Sequence, residues 1–89
     1  MNSQDKKELK RIANELKPQF NLGKEGVTKN FIDLVDKYLK AHEIVKIKDL
    51  SSASRNDTIG KAQKLAKELK AEIIDKKGFS FVLYREELE

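Results

Sequence analysis

No cysteine occurs among the 89 residues. This excludes a disulfide framework, a thiolate nucleophile and a cysteine-based zinc site, and makes a reducing compartment the natural setting. Proline occurs once and glycine four times, too few for a disordered tail. With 38% charged and 38% apolar residues, the composition instead fits a compact, helix-rich globule. Long apolar runs are missing as well. Met1 to Arg11 is polar and unlike a signal peptide, and no stretch approaches the roughly 20 apolar residues of a membrane span. The expectation is a cytoplasmic chain with no membrane partner, of a length that suits one domain and, as a working assumption, a monomer. The single histidine, His42, has no second histidine with which to share a metal and no serine beside it to activate. It reads as a helix-end residue near the C-terminal dipole. Asp33 and Asp36 lie on one helix among lysines and read as surface charge rather than an acid and base pair. No catalytic constellation and no need for a cofactor emerge, so a binding protein is expected rather than an enzyme.

Hydrophobic periodicity organises what is there. Leu9, Ile12, Ala13 and Leu16 recur at helical spacing, with Ser3 as a possible cap and Pro18 as the stop. Gln19 to Leu22 reads as a short strand running into Gly23-Lys24-Glu25-Gly26. A second helix begins at Thr28, in the favoured N-cap position, carries a stripe of Phe31, Leu34, Val35, Tyr38 and Leu39, and ends near His42. Ile44 to Lys48 alternates as a second strand, with Val45 and Ile47 toward a core and Lys46 and Lys48 away from it. Ser54 and Asp57 resemble a capping box for a third helix, whose expected stripe is Ile59, Ala62, Ala66 and Leu69. Ala71 to Ile74 and Phe79 to Arg85 are β-rich runs joined through Asp75-Lys76-Lys77-Gly78, and Glu86 to Glu89 is an acidic tail. The order is helix-strand-helix-strand-helix-strand-strand. Crossover helices imply parallel pairing of the earlier strands and an antiparallel last one, an α/β fold.

A strand, a Gly-x-x-Gly turn and a helix have a physical use. Glycines allow a sharp turn and close approach by another backbone, and the unpaired N–H groups at the start of the next helix favour an anion beside Gly26, Val27 and Thr28. Lys24 adds a flexible cation, whereas Glu25 repels an anion unless it points away. On the tetrapeptide alone, the simpler reading is that the glycines merely permit a tight turn. Lys6, Lys7, Lys10 and Arg11 lie largely off the apolar stripe of the first helix, and Lys17 follows it. An ordinary solvated face explains them too, unless they converge with the glycine turn on one groove. Lys46 and Lys48 extend such a patch or simply discourage edge pairing. The net charge of +4 acquires meaning only through that clustering. Most of the aromatics fall on packing faces; Phe79 follows a turn and is the exception, an aromatic placed to stack on a base.

Three motifs carry a resemblance that spans nearly the whole chain. They are Lys17-Pro18 through Leu22-Gly23-Lys24-Glu25-Gly26-Val27-Thr28, then His42-Glu43-Ile44-Val45-Lys46-Ile47, then Val82-Leu83-Tyr84-Arg85. In this order and spacing they resemble the CRM domain, the chloroplast RNA splicing and ribosome maturation module, in its free-standing prokaryotic YhbY-type form. The resemblance implies a two-layer α/β fold with a mixed four-stranded sheet, similar to the C-terminal domain of bacterial translation initiation factor three. It implies RNA binding, with large-subunit rRNA in a pre-ribosomal particle as partner, and a Gly-x-x-Gly contact to the RNA backbone. Gly23, Lys24 and Gly26 match the family's loop, Lys46 the lysine of its second-strand motif, and Arg85 the arginine after its final Leu-Tyr. Glu25 departs from the basic or neutral residue that many relatives carry there. Arg85 stands open between a surface cation near RNA and a partner for a carboxylate.

Two other classes stay open at this point. A DNA-binding chromatin-type protein is one, although the chain has no long β-arm to enter a minor groove. A protein-interaction module is the other, and it predicts an apolar, open sheet edge rather than one bearing lysines.

Overall fold

The alternating segments form strands and the 3.6-periodic ones form helices, and the pleat decides which face each side chain takes. A computed structural model describes residues 3–86, with side chains from Lys7 onward. The side chains of Ser3, the proposed cap, and of Lys6, together with residues 87–89 of the acidic tail, lie outside what is described. The elements in order are α1 (Ser3–Glu15), β1 (Phe20–Leu22), α2 (Lys29–His42), β2 (Ile44–Asp49), α3 (Arg55–Leu69), β3 (Glu72–Lys77) and β4 (Ser80–Tyr84). The four strands make one sheet in the order β1-β2-β4-β3. β1 runs parallel to β2, and β4 runs antiparallel to both β2 and β3. This is the mixed sheet with an antiparallel last strand that the sequence implies.

Both expected caps form. The Thr28 hydroxyl accepts the Phe31 N–H at 3.1 Å, and the Ser54 hydroxyl accepts the Asp57 N–H at 3.2 Å. Each satisfies one of the donors that a helix start leaves unpaired. At their other ends α2 and α3 stop on left-handed residues, Glu43 and Lys70, whose N–H groups close back on the last turn.

Val45 and Ile47 of β2 and Phe81 and Leu83 of β4 point to the face covered by α2 and α3. There they join Leu22, Val35, Leu39, Ala62, Leu65 and Leu69 in the main core. Their neighbours Ile44, Val82 and Tyr84 point to the opposite face, where Ala13 and Leu9 of α1 and Ile74 complete a smaller cluster. Thus the sheet with α2 and α3 forms the two-layer body, and α1 is laid across the back of β3 and β4.

Three details differ from the sequence reading. The buried stripe of α3 is Thr58, Ala62, Leu65 and Leu69, with Ile59 and Ala66 only half-buried. The helix is turned by the Thr58 hydroxyl, which donates inward to Asp49. Leu34 and Ile12 are exposed, at 54% and 43%; Ile32 takes the place of Leu34 on the core face of α2, and α1 contacts the sheet along one narrow ridge. Finally, β3 continues through Asp75, Lys76 and Lys77, so the hairpin turn is only Gly78-Phe79, with Lys77 paired to Ser80. A bulge at Ile74 interrupts the alternation there and makes the charged stretch look like loop. Only Gly78 of the two turn residues has a positive φ, +60°, as a type II′ hairpin requires of its first central residue.

Candidate nucleic-acid interface

Gly23 to Gly26 closes as a single turn, with the Gly26 N–H donating to the Gly23 carbonyl at 3.0 Å. Lys24 and Glu25 are its central residues, and both side chains are exposed to solvent. The two glycines differ in kind. Gly26 has φ +68° and needs to be glycine for that reason. Gly23 has no positive φ, and a Cβ built on it meets nothing within 4 Å. Neither the turn nor the packing demands a glycine at 23; its effect is to leave backbone bare toward solvent. Beyond Gly26, the start of α2 is capped by Thr28 and has no acidic residue in its first turn. The next two N–H groups, of Lys29 and Asn30, belong to the set that a helix start leaves without intrahelical partners.

The topology brings two further loops to this end of the sheet. Because β1 and β2 are parallel, their C-terminal ends coincide, and the Leu50 N–H donates to the Leu22 carbonyl at 2.9 Å. Because β4 is antiparallel to β2, the Gly78-Phe79 hairpin arrives at the same place, with the Asp49 N–H donating to the Phe79 carbonyl at 2.7 Å. Asn21, Lys48, Ser80 and Lys77 are then successive partners across all four strands. Asn21, Lys48 and Lys77 of this row are exposed. Among the described residues, none of Lys24, Lys48 and Lys77 forms an ion pair.

A buried carboxylate holds this end together. Asp49, 3% exposed, accepts the Ser51 N–H and hydroxyl at 3.0 and 3.1 Å, the Thr58 hydroxyl at 3.0 Å, the Ser52 hydroxyl, and an ion pair from Lys61 at 3.3 Å. Burial pushes its pKa up, but the hydrogen bonds from Ser52, Ser51 and Thr58 outweigh that and hold it well below the usual carboxylate range. The sequence reading passed over Asp49. The signal was present, since Asp followed two residues later by Ser is the pattern of a turn in which the carboxylate takes a backbone N–H.

Other residues expected at the interface lie elsewhere. Arg85 is at the opposite end of the sheet, where its N–H bonds the Glu43 carbonyl. Its guanidinium donates to Asp36 Oδ1 at 2.8 Å, to the Leu69 carbonyl at 2.9 Å and to the Asp36 carbonyl at 3.2 Å. It joins β4, α2 and α3, which resolves the alternative in favour of the ion pair. Asp36, read as plain surface charge, is the half-buried partner in that clamp. The Arg85 hydrogen bond lowers its pKa, aided by Lys40 and opposed by burial. Lys46 is half-buried, with its ammonium donating to the Leu16 carbonyl at 3.2 Å, where a cation suits the end of α1.

The basic residues of α1 do not gather at the glycine turn. Lys10 borders a groove of about 400 Å³ with Glu72, Ile73, Ile74, Asp75 and Lys76 on β3. Three strand spacings, roughly 14 Å, separate β3 from β1. Arg11 pairs with Glu8 at 3.3 Å on the open surface, and Lys7 is exposed on the same helix. Lys17 is exposed in the link that leads from α1 into the start of β1, whereas the glycine turn follows the end of that strand.

The fold and this site define a class. The CRS1/YhbY (CRM) domain model matches residues 1–85, and the chain belongs to that family. Its relatives carry a consistent description. The Probable RNA-binding protein YqeI of Bacillus subtilis is 31% identical over 91 residues, which cover all of this chain and 92% of that one. The Probable RNA-binding protein PA4753 of Pseudomonas aeruginosa is 26% identical over 85 residues, covering 96% of this chain and 81% of its own. Among solved structures, the hypothetical protein SAV1595 of Staphylococcus aureus, a candidate RNA-binding protein, superposes with a TM-score of 0.82 at 28% identity. That match covers all of this chain and 92% of the other.

Proposed function

We propose that this chain is a cytoplasmic RNA-binding protein, acting by binding rather than catalysis, that holds an RNA backbone at the Gly23–Gly26 end of its sheet. The observation that carries the reading is Gly23. It is a glycine that neither the turn nor the packing requires, set beside exposed Lys24 and at the same end of the sheet as exposed Lys48 and, three strands across, Lys77; none of these lysines forms an ion pair among the described residues. Bare backbone and unneutralised ammonium groups suit a phosphodiester, which offers acceptors and negative charge at every step. The names of the relatives favour RNA over DNA. The finer target is the rRNA of precursor large ribosomal subunits, with the protein assisting their assembly, as the CRM resemblance suggests.

Anisotropy titrations of a labelled rRNA fragment across a salt series test the contact. Replacing Lys24 with Glu is expected to weaken binding about tenfold and to make the plot of log affinity against log salt shallower by about one. Gly23→Leu is a cleaner steric probe than a change at Gly26, because it adds no backbone strain. It should weaken binding while leaving the urea midpoint in place. Unchanged affinity in both variants removes the loop from the mechanism. Recovery of the protein with precursor large subunits on a sucrose gradient, crosslinked to their rRNA, tests the assembly role; its absence from those fractions counts against it.

A further inference from the structure

Phe79 stands apart from the core of the fold. It belongs to neither apolar cluster, has no ring contact among the described residues and is 38% exposed at the tip of the β3–β4 hairpin. Only Gly78 in that two-residue turn needs a special backbone, so the turn itself does not ask for an aromatic at 79. The tip is nevertheless held firmly. The Phe79 carbonyl accepts the Asp49 N–H at 2.7 Å, and the Asp49 carboxylate is tied to Ser51, Ser52 and Thr58. Leu50, the residue after Asp49, is 61% exposed. Two large apolar side chains are therefore offered to water on adjoining loops, next to the Asn21-Lys48-Ser80-Lys77 row. That row contains two lysines and no carboxylate.

A flat π-face held on rigid backbone and flanked by cations is how proteins receive an unpaired base whose phosphates lie alongside. A protein helix docking through Phe79 and Leu50 would instead meet two uncompensated ammonium groups at its rim. We infer that Phe79 is a stacking platform for one unpaired nucleobase of the bound RNA, with Lys48 and Lys77 taking the adjoining phosphates and Leu50 extending the apolar surface. The inference rests on the RNA-binding reading above and adds to it. The chain would prefer RNA with a single-stranded segment next to the backbone held at the glycine turn.

The sequence contains no tryptophan, so Phe79→Trp introduces one reporter at the site. The probe is a single-stranded oligouridylate of about ten nucleotides, compared with the same strand carrying abasic sites. The expected result is quenched indole fluorescence on addition of the oligouridylate. Phe79→Ala and Phe79→Leu should each lose about tenfold in affinity for it while binding the abasic strand like the unmodified protein. Equal affinities of the unmodified, Ala and Leu proteins for the oligouridylate would overturn the stacking platform and leave the glycine-turn reading standing. Failure of the unmodified protein to bind either this strand or an rRNA fragment would overturn both.

Discussion

The two ends of the sheet are built on the same plan and finished differently. At one end Asp36 receives Arg85 and Lys40, and the Arg85 guanidinium also reaches the Leu69 and Asp36 carbonyls. At the other, Asp49 is also hydrogen-bonded throughout, but by hydroxyls, one N–H and Lys61, while Lys24, Lys48 and Lys77 have no carboxylate partner among the described residues. Each end has a carboxylate that fixes loops. Among the described residues, only the glycine-turn end combines fixed loops with unpaired lysines, bare backbone and an exposed aromatic. That difference separates a structural clamp from the proposed binding face on a sheet only a few strands wide.

Breaking each clamp in turn sharpens the contrast. The largest loss is expected from Asp49→Ala, which leaves the buried Thr58 hydroxyl without its acceptor and strips the Lys61 ammonium of its carboxylate, leaving it the Ser51 hydroxyl. Urea unfolding should show a destabilisation of about 3 kcal/mol. Because Asp49 orders the Leu50–Ser54 loop and the hairpin tip leans on its backbone, RNA affinity should fall as well, even where the protein remains folded. Arg85→Ala removes the hydrogen bonds to Asp36 and to the Leu69 carbonyl from a mostly buried guanidinium and is expected to cost about 2 kcal/mol. Its effect on RNA affinity under native conditions should be nil. Equal losses of affinity in the two variants would break the comparison.

Acid adds a smaller effect of defined sign. Both Asp36 and Asp49 are held below the ordinary carboxylate value, so the unfolded chain binds protons that the folded chain refuses. Stability from this source is complete above about pH 5 and declines as pH falls through the ordinary value near 4. Asp49→Asn should flatten that acid decline.

Much of the architecture was legible because it follows from local chemistry. Thr28 and Ser54 announced two helix starts, alternation over Ile44–Lys48 announced β2, and the crossover helices announced parallel pairing. Burial on individual helices was less legible where a polar residue competes for the inner face, as Thr58 does on α3 through its bond to Asp49. The glycine turn, Lys48 and Phe79 were each singled out from the sequence, yet their meeting at one end of the sheet was not. Lys46 and Arg85 look like surface cations in one dimension and prove to hold Leu16 and Asp36, while Lys77 and the Phe79 tip are far from the turn in sequence. The missing step was topological: parallel β1 and β2 with antiparallel β4 force the hairpin to the same end as the glycines, so those residues were available to the strand order and invisible to the motif.

The most direct measurement is the map of backbone amide shifts of the isotopically labelled protein on titration with single-stranded RNA at low salt. The account predicts changes concentrated at Gly23–Thr28, Lys48–Ser52 and Lys77–Ser80, with Lys70, Ala71, Arg85 and the outward face of α1 unmoved. Shifts centred on α1 and the β3 groove, or on the Arg85 end, would contradict it.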